Sequence, residues 1–195
     1  MFHQLNINIF NAINGLAGKG LVLDKVGVIM AKYLPIVFIF ALLYYWFKNN
    51  NYKNISLYAG YSAILGVLLN FLIALFYFHP RPFMENTGIL LIGHDPGASF
   101  PSDHATFMLA IGFMFLYFKK TRKTGTVLSV LGLVGGIARI YSGVHYPFDI
   151  LGSFFVAVIS SCAIFFLRER LRRLNALIIG LHHGTLKLKG RQRNT

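Results

Sequence analysis

Acidic side chains are scarce in this 195-residue chain, which has six Asp and Glu residues against nineteen Lys and Arg residues. Charged residues make up 13% of the sequence and hydrophobic residues 55%, whereas about a quarter of an average soluble domain is charged. Together with a mean hydropathy of +0.58, this shortage of charge excludes an ordinary soluble globular domain. A single cysteine, Cys162, excludes an internal disulfide and lies in an apolar run, where we interpret it as a packing residue.

The net charge of +13 is carried by short segments between long apolar runs. Such a distribution is typical of loops that orient a membrane protein and contact anionic lipids. It predicts membrane lipids as the surroundings of the chain and disfavours nucleic acid as a partner.

Five segments approach the length of about 20 apolar residues that a membrane-spanning helix needs. They are residues 28–47, 57–78, 102–118, 126–141 and 147–167. We therefore predict an all-α fold, a polytopic membrane helical bundle with about five transmembrane helices. Apolar residues also recur at helical spacing between Leu5 and Leu16, which predicts an N-terminal amphipathic helix at the interface. A sixth span over residues 10–32 is the alternative, and Gly15, Gly18 and Gly20 disfavour it.

Lysines and arginines concentrate in residues 48–53, 119–123 and 168–193, which share one side of the membrane if there are five spans. The positive-inside rule makes that side cytoplasmic. The loop 79–101 and the turn 142–146 then face outside. We predict an integral-membrane domain over residues 1–167 and a basic cytoplasmic tail over residues 168–195 that contains an amphipathic helix.

Polar residues suited to phosphate chemistry collect at the predicted outer ends of the spans. Arg81 stands between two prolines, and a guanidinium fork matches phosphate oxygens; an interfacial arginine reaching for water is the alternative. Ser102 and Asp103 open the third span and suit an N-cap, while the free N–H groups of a helix N-terminus bind anions. Capping does not explain His104, because ionisable groups in membrane helices are costly.

A third motif contains Arg139, His145 and Asp149, with five residues between the first two and three between the last two. Pro147 suits the first turn of a helix. A carboxylate four residues after His145 can accept its imidazole N–H and leave the other nitrogen free to attack; a structural His–Asp pair is the alternative. Together the motifs predict a site that holds a phosphate, attacks it and protonates its leaving group. The apolar surroundings predict that this phosphate belongs to a lipid.

A zinc site built from two histidines and an aspartate is a competing interpretation. Arg81 and Arg139 disfavour it, because guanidinium groups repel a dication and supply positive charge themselves. We predict no metal and no other cofactor. His94, in the outer loop, is a weaker candidate for contact with a head group, with a solvated polar loop as the alternative.

The ordered motifs resemble those of the type 2 phosphatidic acid phosphatase superfamily, and most closely the BcrC-type undecaprenyl-diphosphatases of Gram-positive bacteria. Residues 78–83, 98–104 and 145–152 carry the resemblance, which extends over nearly the whole chain. The chain departs from the superfamily pattern at Ala74, where a lysine is usual, at Ala138, where serine is usual, and at Asp103, where glycine is commoner. Asn70, one helical turn before Ala74, is a candidate substitute for the missing lysine at the head group.

The resemblance implies that His145 attacks the terminal phosphorus to form a phosphohistidine, that Asp149 orients His145, and that His104 protonates the leaving group. It implies that a phosphate-binding set holds the non-bridging oxygens; the set is Arg81, Arg139, Ser102 and Asp103. The implied substrate is a polyprenyl diphosphate lipid, undecaprenyl diphosphate. Its hydrolysis at the outer face of the bacterial cytoplasmic membrane would recycle the cell-wall lipid carrier and give bacitracin resistance.

Two alternatives stay open at this point. A phosphatidylglycerophosphate or phosphatidic acid phosphatase uses the same chemistry on another lipid. A catalytically silent lipid-phosphate-binding membrane protein belongs to a different class, and two histidines placed beside a carboxylate disfavour it because binding alone does not need them.

Overall fold

A computed structural model describes residues 1–192, with side chains up to His182. Over this range the chain forms six α-helices and no strand, which confirms the predicted all-α class. A short 3-10 helix, Pro82–Glu85, lies in the longest loop. The helices are α1 (Phe2–Asn14), α2 (Leu21–Lys48), α3 (Asn50–Phe76), α4 (Asp103–Leu116), α5 (Arg122–Tyr141) and α6 (Pro147–Gln192).

Four helices, α2, α3, α5 and α6, are long and apolar enough to cross a membrane. The remaining predicted span, α4, has only 14 residues, or about 21 Å at the usual helical rise. It packs against α3, α5 and α6, and most of its apolar residues are buried. Because protein rather than lipid surrounds α4, its length does not have to match the bilayer.

Large apolar side chains stay exposed on the outer surfaces of the long helices. Phe40, Ile64 and Phe166 are 65%, 69% and 79% exposed. A soluble protein rarely exposes so much contiguous apolar surface, whereas lipid covers it in a membrane. The chain is therefore a multi-pass membrane protein, in agreement with the prediction.

The N-terminal segment forms a separate helix, so the alternative of a continuous sixth span over residues 10–32 is wrong. Helix α1 ends at Asn14, and the chain turns through Gly18, with φ of 76°, before α2 begins. Leu5 and Leu16 are exposed, as expected for an interfacial helix, but Asn6 and Asn14 are buried with Phe10. The asparagines thus form the face that packs on the protein.

Asparagine side chains attach α1 to the end of the bundle where the polar motifs lie. Asn14 Nδ2 donates to the carbonyl oxygens of Ile89 and Tyr141 at 2.9 and 2.8 Å, and its Oδ1 accepts from Ile89 N at 2.7 Å. Asn6 Oδ1 accepts from the backbone N–H of Phe148 at 3.0 Å, in the first turn of α6. Helix α1 therefore braces both the long loop and the start of α6.

Helix α6 continues without a break beyond residue 167, where the sequence predicted the end of the last span. Its continuation packs on α3: Tyr58 Oη donates to Arg168 O at 3.0 Å, and the buried Asn175 bonds Tyr61 and Asn54. The predicted basic tail thus begins as part of the same helix. Residues 193–195 of that tail lie outside the described residues.

One end of the bundle carries all of the predicted motifs. The C-termini of α3 and α5 and the N-termini of α4 and α6 meet there, joined by the loop 77–102 and the turn 142–146. Close packing of α5 on α6 supports this end, since a Cβ on Gly136 would lie 2.7 Å from Ile150 Cγ2. Side chains distant in sequence are therefore brought to one place.

Candidate active site

His145 lies in the tight turn between α5 and α6 and is 2% exposed. Gly143 makes the turn possible: its φ is 78°, and a Cβ there would lie 2.3 Å from Ile89 O. The turn is closed by a hydrogen bond from Val144 N to Arg139 O at 3.2 Å. The backbone therefore fixes the imidazole at the centre of the motif residues.

The hydrogen bonds of His145 define which ring nitrogen carries the proton. Arg81 Nη1 lies 3.1 Å from His145 Nε2, and a guanidinium can only donate. Nε2 is therefore the acceptor, and the proton is on Nδ1, which lies 2.9 Å from the carbonyl oxygen of Ser99. This tautomer leaves a lone pair on Nε2, as a nucleophile requires.

Asp149 lies beside His145, but the expected direct hydrogen bond is not formed. The distance from His145 Nδ1 to Asp149 Oδ2 is 3.5 Å, because the N–H points to the nearer Ser99 carbonyl. The Ser99 hydroxyl donates to Asp149 Oδ2 and lies 3.3 Å from His145 Nδ1. Ser99 thus bridges the two residues, while Tyr146 N also holds Asp149 Oδ2 at 2.7 Å.

Burial lowers the pKa of His145 to about 4, and the opposing effect of Asp149 is smaller. Arg139 and Arg81 lower this pKa further, since positive charges disfavour a protonated ring. The imidazole is therefore neutral near pH 7.

Two buried arginines flank the histidine. Arg81 precedes the 3-10 helix, donates to Val144 O at 3.1 Å, and has a lowered pKa because of burial. Arg139, in the last turn of α5, is 3% exposed and donates to Ala31 O at 3.4 Å. Arg81 Nε and Arg139 Nε and Nη2 have no hydrogen-bond partner within residues 1–182. Such donors in a shared, buried place suit an anion.

Ser102 holds the N-cap position of α4, yet its side chain makes no capping hydrogen bond, so that part of the cap prediction is wrong. Its backbone N–H donates instead to Ser153 Oγ at 2.8 Å. The buried hydroxyl of Ser102 has no partner among the described side chains. The hydroxyl is therefore available to a substrate.

The other two residues of the α4 motif differ in their surroundings. His104 interacts electrostatically with Arg139, His145 and Arg81, which places it at the same site. Asp103 interacts with both arginines, and its carboxylate accepts from Asn70 Nδ2 at 2.9 Å. The same amide donates to Thr106 Oγ1 at 3.0 Å. Asn70 thus joins α3 to the start of α4.

His94 borders the site. Its Nδ1 lies 3.0 Å from Asp95 O, and burial and the charges of Arg81 and Arg139 lower its pKa. The structure therefore brings together the predicted residues from all three motifs, with Asn70 behind α4 and His94 in the outer loop.

Sequence reasoning missed Ser99 and His79, both next to the carboxylate. Ser99 bridges Asp149 and His145, and His79 Nδ1 lies 3.5 Å from Asp149 Oδ1. Both lie within the stretches that carry the family resemblance, which was the available signal. No rule of local spacing relates either of them to Asp149, which is 50 residues from Ser99.

Among the described residues, no group of three or more His, Cys, Asp or Glu side chains has an arrangement suited to a metal ion. The positive charge of the site comes from the two arginines. The arrangement as a whole combines a neutral imidazole with a lone pair on Nε2, cationic donors and a second histidine, the parts that phosphoryl transfer requires.

Comparison with known proteins gives matches over most of the chain. The profile of the PAP2 superfamily matches residues 55–173. Undecaprenyl-diphosphatase BcrC of Bacillus subtilis is 40% identical over 93% of this chain and 94% of its own length. The protein of Bacillus licheniformis named bacitracin transport permease protein BcrC is 30% identical over 91% of this chain and 87% of its own.

The fold is also similar to that of a solved structure, LpxE of Aquifex aeolicus. The TM-score is 0.70 at 23% identity, and the likeness covers 83% of this chain and 94% of that one.

Proposed function

The chain belongs to the PAP2 superfamily, and from that premise we propose that it is a membrane phosphatase that hydrolyses undecaprenyl diphosphate to undecaprenyl phosphate and inorganic phosphate. The relative named undecaprenyl-diphosphatase, 40% identical over 93% of the chain, supports this substrate. The observation that carries the proposal is the state of His145. It is neutral, unprotonated at Nε2, and beside Arg81.

In the first step, His145 Nε2 attacks the terminal phosphorus, and the bond from phosphorus to the bridging oxygen breaks. His104 gives a proton to the departing undecaprenyl phosphate. The imidazolium that forms is stabilised by the Asp149 carboxylate through Ser99, and its Nδ1–H stays bound to the Ser99 carbonyl. The products of this step are a phosphohistidine and the free lipid phosphate.

In the second step, water attacks the phosphohistidine while the now neutral His104 accepts a proton from it. The bond between phosphorus and Nε2 breaks, which releases inorganic phosphate and restores both histidines. Arg81, Arg139 and the Ser102 hydroxyl hold the non-bridging oxygens, whose charge is distributed during transfer. Asp103 acts with them by keeping the start of α4 against Asn70.

We also propose that the site faces the outside of the bacterial cytoplasmic membrane. The basic segments 48–53, 119–123 and 168–182 lie at the opposite end of the bundle, and basic segments favour the cytoplasm. Hydrolysis at the outer face would recycle the cell-wall lipid carrier as undecaprenyl phosphate. Expression would also raise bacitracin tolerance, because the enzyme competes with the antibiotic for the diphosphate lipid.

The decisive experiment measures phosphate release by the purified protein in detergent and EDTA from undecaprenyl diphosphate, phosphatidylglycerophosphate and phosphatidic acid. We expect the diphosphate to be preferred and the activity to be lost in His145→Ala. Preference for a phospholipid would overturn the substrate and retain the chemistry. Activity that appears only after metal is added would overturn the metal-independent mechanism.

Absence of release under every condition would favour the silent lipid-binding class. The charged groups argue against a transport function, which the name of the Bacillus licheniformis relative implies for that protein. A transporter places ionisable groups near the middle of the membrane, whereas Arg81, Arg139 and His145 lie at one end of the helices.

A further inference from the structure

His79 has a fixed place next to the active-site carboxylate. Its ring stacks on Tyr77, with centroids 6.2 Å apart and planes at 12°, and the edge of Tyr146 lies 5.3 Å away. Its carbonyl oxygen accepts from Ser99 N at 2.7 Å. Two aromatic rings and a backbone hydrogen bond therefore hold the imidazole in one orientation.

The two oxygens of Asp149 face two different histidines. Oδ2 accepts from Ser99 and from Tyr146 N on the side of His145. Oδ1 lies 3.5 Å from His79 Nδ1 and has no hydrogen bond within residues 1–182. Asp149 is 1% exposed, and a buried carboxylate oxygen without a donor is costly. The imidazole of His79 is the group placed to compensate it when protonated.

We propose that His79 is a positioning residue whose protonated ring holds Asp149 Oδ1 and thereby keeps Oδ2 directed at Ser99 and His145. This inference rests on the proposed function. His79 does not touch the transferred phosphate, because it lies behind Asp149 while the attacking Nε2 faces Arg81. Its effect on the reaction passes through the carboxylate.

The groups around His79 determine how it responds to pH. Asp149 raises its pKa most, Glu85 raises it further, and burial opposes them. Tyr146 donates to Glu85 at 2.7 Å, and Tyr77 adds an uncharged ring. A cavity of about 350 Å³ links His79 and Asp149 with His3 of α1, so the 23% exposed side chain of His79 exchanges protons with solvent.

The raised pKa of His79 determines how kcat changes with pH. Below this pKa, His79 is charged and holds the carboxylate. As the pH rises through this pKa, the contact is lost. Wild-type kcat should therefore fall on the alkaline side, above the ordinary histidine pKa of about 6.5, through a group that does not contact the substrate.

Two amide variants separate this role from simple packing. The amide nitrogen of Asn occupies the place of imidazole Nδ1, whereas that of Gln occupies the place of Nε2, so only His79→Asn keeps a donor toward Asp149. We expect His79→Gln to lower kcat between about tenfold and 10²-fold with KM unchanged, as for a misplaced reacting group. His79→Asn should keep most of kcat, and the alkaline fall that remains should come from His104 alone.

The matched control is His3→Gln, a histidine that lines the same cavity and has no recorded contact with Asp149. It should behave as the wild type. Inhibition by inorganic phosphate, measured on every variant, checks that the arginine site is intact. A wild-type kcat and pH profile in His79→Gln would overturn the inference, and so would equal losses in His79→Asn and His79→Gln. An inactive wild type would instead overturn the proposed function.

Discussion

At the scale of single residues, the site depends on buried polar groups whose partners come from other helices. Ser99 joins Asp149 to His145, while Ser153 accepts the backbone N–H of Ser102, whose hydroxyl has no partner among the described side chains. Each of these groups is almost fully buried, so a misplaced hydrogen bond would not be replaced by water. Substitutions here should therefore lower the stability as well as the activity.

Arg139→Lys should lower kcat/KM on undecaprenyl diphosphate by about 10²–10³, the usual effect of removing one donor to a transition-state oxyanion. Lysine keeps the charge but loses the planar fork, including the Nε and Nη2 donors. Arg122→Lys is the matched control, since Arg122 is an exposed residue at the opposite end of α5. A similar loss in both variants would show that the effect is not due to phosphate binding.

The lowered pKa of His145 gives a prediction for the acid side of the pH profile. Because only the neutral ring attacks, and its pKa is about 4, formation of the phosphohistidine should persist well below pH 6.5 and stop near pH 4. The measurement is the amount of radiolabelled enzyme trapped in one turnover by alkaline detergent, at a series of pH values. A midpoint near pH 6.5 would show that burial does not control this histidine.

At the scale of the elements, α1 has a packing role that the sequence did not predict. Two of its asparagines, Asn6 and Asn14, lie on the packed face, and Asn14 makes three hydrogen bonds that join α1 to the long loop and to the end of α5. The loop carries His79, Arg81 and Ser99, so α1 supports the site without entering it.

Asn14→Ala should lower the free energy of unfolding by about 2 kcal/mol, because it removes the partner of the backbone groups of Ile89 and Tyr141, and the contact with Tyr141 is buried. The thermal unfolding temperature of the detergent-solubilised protein should fall, and kcat should fall less than in the arginine variant. Asn8→Ala is the control, because Asn8 is exposed and bonds only Gln4 among the side-chain hydrogen bonds described. Equal unfolding temperatures for the two variants would contradict the bracing role of α1.

At the scale of the whole molecule, charge is separated along the bundle. The basic segments lie at one end, and the candidate site, with five of the six acidic residues, lies at the other. This separation favours one orientation in the membrane, in which a lipid head group in the outer leaflet would reach the site.

Cysteine labelling tests that orientation. In a Cys162→Ser background, Asp95→Cys should react with a membrane-impermeant maleimide on intact cells, whereas Lys120→Cys should react only after permeabilisation. Both positions are exposed, at opposite ends of the bundle. The reverse pattern would place the site in the cytoplasm and contradict hydrolysis at the outer face.

Local patterns were enough for much of the fold. The apolar runs predicted the helices to within a few residues at most ends, and the break after α1 followed from Gly15, Gly18 and Gly20. The prediction was poorest where a helix continues past its apolar run. Helices α2 and α3 each begin seven residues before the predicted span, and α6 continues beyond residue 167, because hydropathy reports contact with lipid and not contact between helices.

The sequence by itself determined the helical class, the basic end of the molecule and the identity of the three motifs, since these depend on residues that are near one another in the chain. Tertiary structure decided the pairing of Ser99 and His79 with Asp149, the free hydroxyl of Ser102 and the inward face of α1. The contacts among them join residues 50 or more positions apart. Such distances are set by how the helices pack, which no local pattern encodes.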